Sequence, residues 1–168
     1  MRPIADPDPS SCPGLRVSTC GHSCHAFLTD ILVECARGAG IDGHRAVGTS
    51  RLGASRAIRH WNLPDEKNHA KAALRADKVD VLTLSCMTYP DDGIEKFARL
   101  AVENNPEVRV TLQELWLPED RFPFDWENRV RESIEEFNEV TMEDLKEPHQ
   151  AYFKVMEDYV GNLNASLG

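Results

Sequence analysis

The sequence contains no long apolar run and no excess of basic residues. None of its hydrophobic stretches approaches the ~20 residues that a helix needs to cross a bilayer. The 19 Lys and Arg are outnumbered by 28 Asp and Glu, which gives a formal net charge of -9. Nucleic-acid phosphates and anionic membrane surfaces bind to basic protein faces. We therefore expect no nucleic-acid partner and no membrane partner.

A regular cysteine framework and an N-terminal leader are also missing. The five cysteines form an odd set without regular spacing, which favours reduced thiols over a disulfide scaffold. Residues 1–14 are rich in Pro, Asp and Ser and have no apolar core, so we expect a disordered lead-in rather than a signal peptide. The sequence as written favours the cytoplasm, whereas a lost leader would imply a secreted or periplasmic protein.

Residues 15–168 are expected to form one domain, because this length suits a single hydrophobic core. Short β-branched and apolar segments alternate with segments of helical periodicity. The predicted strands are 15–20, 44–47, 79–84 and 108–112, and the predicted helices are 26–39, a short helix ending near 61, 65–76, 91–104 and one from 148 onward. Strands separated by helices pair in parallel through right-handed crossovers. The pattern therefore predicts an α/β fold with a parallel sheet of about four strands.

The periodicity predicts inner faces for these helices. In the first helix Phe27, Ile31, Leu32 and Cys35 recur at helical spacing. Asp91 and Asp92 are expected to cap the helix ending at Asn104, with Ile94, Phe97, Ala98 and Ala101 on its inner face.

Residues 115–147 interrupt the alternation with an aromatic segment followed by an acidic helix. Such an excursion from the carboxyl end of a strand is either a lid over a site or a covering for the sheet, and aromatic residues at helical spacing favour the covering. Thr141 with Asp144 resembles a capping box, and the helix predicted from Pro148 carries an apolar stripe from Tyr152 to Leu163.

The turn at Gly21-His22-Ser23 directly follows the first predicted strand and precedes the first predicted helix. Open α/β sheets bind ligands outside the carboxyl ends of their strands, so Ser23 is expected at that edge. Amides at the start of the helix, from about Ala26, would face negative charge near Ser23. The turn therefore predicts an attacking hydroxyl with part of an oxyanion hole, and a plain helix cap is the alternative for Ser23.

Three segments resemble the blocks of the SGNH (GDSL-like) hydrolase superfamily, in the branch whose first block reads Gly-x-Ser-Phe. Residues 21–23 with the helix after them resemble the first block, 53–56 with His60-Trp61 resemble the second, and 79–85 resemble the third strand. The resemblance implies a flavodoxin-like three-layer α/β/α fold.

The same resemblance implies a reaction. Ser23 would attack the carbonyl of a small acyl-ester or carbohydrate-ester substrate, with no cofactor. The amides of Ser23 and Gly53 and a side chain near Ser85 would hold the oxyanion. His22, His60 and Glu114 are candidates to line the substrate, although His22 also suits a surface or capping role and His60 also suits packing beside Trp61.

Two departures from the family pattern favour a second interpretation. Ser85-Cys86-Met87 stands where the family usually offers an Asn to the oxyanion, and no Asp-x-x-His motif supplies a general base, since His149 has no Asp three residues before it. Loss of a triad member typically costs about 10⁴-fold in rate. The alternative is therefore an inactive or truncated SGNH-like domain that acts as a binding module.

The second interpretation also has a structural consequence. A fifth strand is missing from the pattern, so the strand at 108–112 would leave an open edge that favours self-association or marginal stability.

Cys20, Cys24 and His25 allow a weaker alternative, a metal or haem site. Alternating side-chain directions along a strand work against their convergence, however. Small buried cysteines are the simpler interpretation for Cys20, Cys24 and Cys35, so no metal ligand is predicted.

Overall fold

The structure, a computed structural model, describes residues 12–76, 78–113 and 133–167, apart from the side chain of Phe137. The chain divides into two compact units, Met1–Gln113 and Glu114–Gly168. Most of the predicted lead-in, Glu114 and the aromatic segment of the excursion lie outside the described residues. The expectation of one domain over 15–168 stays a prediction.

The first unit contains a four-stranded sheet in which every neighbouring pair is parallel. Its strands are β1 Arg16–Gly21, β2 Arg45–Arg51, β3 Val81–Ser85 and β4 Arg109–Gln113, in the order β2-β1-β3-β4. This arrangement confirms the predicted α/β fold with a parallel sheet of about four strands. It is also the strand order of flavodoxin-like folds.

The second strand is longer than predicted, because it continues past residue 47 to Arg51. Its polar end is held by backbone pairing with β1, in which Ser50 lies beside Cys20 and Arg51 beside Gly21. Apolar patterning therefore underestimated a strand whose last residues are polar.

Four helices and one 3-10 turn connect the strands of the first unit. They are α1 Leu28–Gly38, α2 Ala57–Trp61, the 3-10 turn Asp65–Lys67, α3 His69–Arg75 and α4 Asp92–Asn104. The prediction of one helix over 65–76 is wrong, because a 3-10 turn ends before Asn68 and α3 begins after it. The buried Asn68 side chain accepts a hydrogen bond from the Lys71 amide at 2.9 Å and donates one to the His60 carbonyl at 2.7 Å, so it caps a new helix instead of continuing the old one.

The helices cover both faces of the sheet. The Ser50 side chain of β2 is hydrogen bonded to His60 of α2, so α2 covers the face of the sheet on which Ser50 lies. Helices α3 and α4 pack with α2 on this face. On the opposite face, the Thr29 hydroxyl of α1 donates a hydrogen bond to the Thr19 hydroxyl of β1 at 2.6 Å. The result is three layers, as the resemblance implied.

A row of threonines crosses the face of the sheet toward α1. Thr19 lies beside Thr49 of β2 and Thr83 of β3, and Thr83 lies beside Thr111 of β4. This threonine row explains an error in the predicted inner face of α1. The helix turns Thr29 and Ala36 inward and leaves Phe27, Ile31, Leu32 and Cys35 exposed.

A buried carboxylate joins the starts of α2 and α4. One oxygen of Asp91 accepts the amide of Ala57 at 2.7 Å, and the other accepts the amides of Ile58 and Gly93 at 3.0 and 2.9 Å. The Arg56 guanidinium lies 3.5 Å from the same carboxylate. Gly93 permits this contact, because a Cβ there would lie 2.1 Å from the Ile58 nitrogen. The predicted Asp91 cap and the predicted inner face of α4 are confirmed.

The second unit contains α5 Ile134–Asn138 and α6 Met142–Leu167. The capping box is confirmed, because the Thr141 amide donates to the Asp144 carboxylate and the Asp144 amide donates to the Thr141 hydroxyl. This box starts α6 six residues before the predicted start, so Pro148 lies inside the helix. In the parts of the chain that the structure describes, no helix is long and apolar enough to span a membrane.

Within the described residues β4 is an edge strand of the sheet, with Arg109 and Thr111 exposed. The proposed self-association through this edge stays a prediction.

Replacing Asp91 with Asn tests the shared cap. The variant puts an amide donor where the Ala57 or Ile58 amide needs an acceptor, so we expect the free energy of unfolding to fall by about 1–3 kcal/mol. Urea titration followed by circular dichroism measures this loss. Asp92→Asn is the matched control, because Asp92 is exposed and should change stability by no more than about 0.5 kcal/mol. Equal effects of the two variants would contradict the role of Asp91.

Candidate active site

Three strand ends meet at one edge of the sheet. β1 ends at Gly21 beside Arg51 of β2, and the Leu52 amide donates to the Gly21 carbonyl at 3.3 Å. The chain passes from β1 to β2 on one side, whereas β3 lies on the other side of β1. The end of β1 is therefore a topological switch point, where ligands bind in open α/β sheets.

Ser23 lies in a tight turn directly after β1. The amides of His25 and Ala26 both donate to the His22 carbonyl, at 3.1 and 3.0 Å. Ser23 is exposed, and neither its hydroxyl nor its amide has a hydrogen-bond partner among the described residues. The helix-cap alternative for Ser23 is wrong, because α1 begins at Leu28 and the residue at its cap is Phe27.

Gly53 lies in the neighbouring loop, which follows β2. It is exposed, a Cβ on it would face open space, and its amide has no acceptor in the described ranges. The next residue, Ala54, has a φ of 41°, a left-handed conformation that a side chain makes costly. The two amides named as oxyanion donors by the resemblance, those of Ser23 and Gly53, are therefore both available to a ligand.

Ser85 and His22 are buried beneath this edge. The Cys24 amide donates to Nδ1 of His22 at 3.2 Å, so the ring proton is on Nε2, which donates to the Ser85 hydroxyl at 3.1 Å. Burial is the main cause that lowers the pKa of His22, and the neighbouring His25 lowers it further. The structure thus places both side chains under the turn, where they support it, rather than on the surface.

His25 joins the same turn to β3 and β4. Its Nδ1 is hydrogen bonded to the Gln113 side-chain oxygen, and its Nε2 is 2.9 Å from the Thr83 hydroxyl. An amide oxygen only accepts, so Nδ1 carries the proton and Nε2 accepts from Thr83. Burial lowers the pKa of His25. Gln113 and Thr83 were not predicted as site residues, and their signal in the sequence is their place at or near predicted strand ends.

His60 supports the Gly53 loop from below. The Ser55 hydroxyl donates to the Leu52 carbonyl at 3.0 Å, so it accepts from Nε2 of His60 at 2.7 Å, and Nδ1 accepts from Ser50 at 2.8 Å. Burial, and next Arg59, lower the pKa of His60 to about 4. The His60 side chain is thus fully buried and bonded to two serines, and its packing beside Trp61 stays a prediction.

These contacts decide which groups are free to take a proton from Ser23. Both ring nitrogens of His22, His25 and His60 have partners within the first unit. None of the three is therefore available as a general base in this arrangement. Glu114, the remaining candidate for lining the substrate, lies outside the described residues.

Cys20 and His25 lie on opposite faces of the sheet. His25 contacts Thr83 on the threonine face, where Thr19 also lies, and Cys20 is the next residue along β1. Burial raises the pKa of the Cys20 thiol, which disfavours the thiolate that binds metals. Across the described ranges, no three His, Cys, Asp or Glu side chains come together as a metal site.

Comparisons with protein-family models, with curated proteins and with solved structures found no match to this chain.

The pH dependence of stability tests the buried state of His60. An unfolded chain protonates this histidine near pH 6.5, whereas the folded chain does so near pH 4, so we expect stability to be full above pH 6.5 and to fall toward pH 4. This one group contributes at most about 1.4 kcal/mol per pH unit. Urea titrations across this range measure the slope.

His60→Gln should reduce the slope without removing it, because burial also lowers the pKa values of His22 and His25. The variant starts from lower stability. His69→Gln, at an exposed histidine of α3, should keep the slope of the native chain. An unchanged slope in His60→Gln would refute the buried neutral imidazole.

Proposed function

We propose that this chain is an SGNH-like serine hydrolase of small ester substrates, including acyl esters of carbohydrates, with Ser23 as the nucleophile. The observation that carries the proposal is the exposed Ser23 at the switch point of a parallel sheet. Its hydroxyl, its amide and the Gly53 amide have no hydrogen-bond partner among the residues that the structure describes. Nucleophilic serines need access to substrate, and oxyanion holes need free donors.

In the proposed reaction, Oγ of Ser23 attacks the ester carbonyl and its proton passes to a base. Negative charge then develops on the carbonyl oxygen, where the amides of Ser23 and Gly53 donate to it. When this intermediate collapses, the ester C–O bond breaks and the alcohol leaves with the proton from the base. Water then attacks the acyl-serine, which releases the acid and restores the Ser23 hydroxyl. Two buried histidines position these amides. His22 accepts the Cys24 amide inside the nucleophile turn, and His60 fixes Ser55 at the end of the Gly53 loop.

The pairing of both ring nitrogens of His22, His25 and His60 favours a second candidate, binding of an ester or related ligand without turnover. A serine hydroxyl that has no base is a weak nucleophile, and loss of the base costs about 10⁴-fold or more.

A fluorophosphonate probe together with hydrolysis of 4-nitrophenyl acetate separates the two candidates. If the chain is a hydrolase, the probe should label Ser23, which mass spectrometry of the peptides detects. Ser23→Ala should abolish the labelling and lower the turnover rate by at least about 10³-fold. Ser133→Ala is the control, because this half-buried serine lies in the second unit.

Absence of both labelling and turnover in the native chain would refute the hydrolase and favour the binding module. Labelling at a serine other than Ser23 would refute the assigned nucleophile.

A further inference from the structure

The segment that contains β2, α2 and the loop between them is basic in an otherwise acidic chain. Residues 43–64 contain four arginines and no Asp or Glu, although the whole chain has a net charge of -9. Arg45 lies at the amino end of β2, whereas Arg51 lies at its carboxyl end, and Arg56 and Arg59 follow. Two of the four, Arg51 and Arg56, therefore bound the loop that follows β2 at the edge where Ser23 lies.

Arg51 bridges the two loops that carry the unpartnered amides. It is the last residue of β2, two residues before Gly53, and its guanidinium donates to the Ala26 carbonyl in the Ser23 turn at 3.1 Å. Its side chain is 53% exposed, and its nearest carboxylate, the exposed Asp30, is 3.7 Å away. One N–H of the guanidinium is thus bound to the Ala26 carbonyl, and the guanidinium retains further N–H donors for a ligand.

Arg56 differs from Arg51 because its carboxylate partner is fully buried, whereas that of Arg51 is exposed. Its guanidinium donates to the Pro90 carbonyl at 3.0 Å and lies 3.5 Å from the buried Asp91 carboxylate. Arg51 is therefore the better cation for a ligand. The exposed amide of Ala54, which has no acceptor within the described residues, adds a neutral donor in the same loop.

We propose that the Arg51 guanidinium and the Ala54 amide bind a carboxylate or sulfate group carried by the ester that Ser23 attacks. This inference rests on the proposed function and adds to it the substrate class, an anionic ester. Arginine forks match planar oxyanion groups, and backbone amides in turns add donors for the same oxygens. The Gly53 amide stays free for the oxyanion of the reaction.

A pair of isosteric substrates measures the preference. At constant ionic strength, we expect kcat/KM to be about tenfold or more higher for 4-acetoxybenzenesulfonate than for the neutral 4-acetoxybenzenesulfonamide. Arg51→Gln should abolish this ratio. Arg45→Gln should keep it, because this exposed arginine lies at the opposite end of the same strand.

Titration with sodium sulfate gives a readout that needs no turnover. We expect saturable shifts of the Gly53 and Ala54 amide resonances in the native chain and in Arg45→Gln, and at least about tenfold weaker binding in Arg51→Gln. Sodium chloride at matched ionic strength is the reference.

The outcomes separate this inference from the proposed function. Ser23-dependent hydrolysis without a sulfonate preference would overturn the anionic substrate and leave the hydrolase. Sulfate binding that depends on Arg51 without hydrolysis would support the anion site and refute the hydrolase. Shifts that are equal in Arg51→Gln and the native chain would overturn the site.

Discussion

The buried carboxylate of Asp91 is the constraint on which the candidate site depends. It satisfies three amides from two helix starts, which keeps a charge in the interior without leaving it unpaired. Because α2 starts at this carboxylate, the position of His60 within α2 is fixed. His60 then holds Ser55, and through it the loop that presents Gly53. A contact between two helices thereby sets the position of a backbone amide at the surface.

Polar contacts, rather than apolar packing, fix the loops at this edge. His22, His25 and His60 each use both ring nitrogens to join a loop to a strand. A neutral imidazole suits this role because it offers one donor and one acceptor in fixed directions. The same pairing removes these imidazoles from acid–base chemistry, so support of the Ser23 turn and activation of its hydroxyl must come from different residues.

The sequence predicted the sheet and the place of Ser23 but not the contacts around it. Leu82 and Leu84 are fully buried in the strand, and their apolar side chains are what made the segment 79–84 recognisable as a strand. The Asp91 cap likewise marked the start of α4. Patterning failed at α1, where a hydroxyl pair between Thr29 and Thr19 sets the orientation.

Patterning also gave no access to the partners of His25. Gln113 is 88 residues from this histidine and Thr83 is 58 residues away, so only the strand order brings them together. Below the edge the polar side chains are satisfied, whereas the amides of Ser23, Gly53 and Ala54 stay exposed without acceptors in the described part of the chain. Water pairs such donors at little cost until a ligand with a negative oxygen displaces it. This contrast favours an oxyanion as the group that binds at this edge of the sheet.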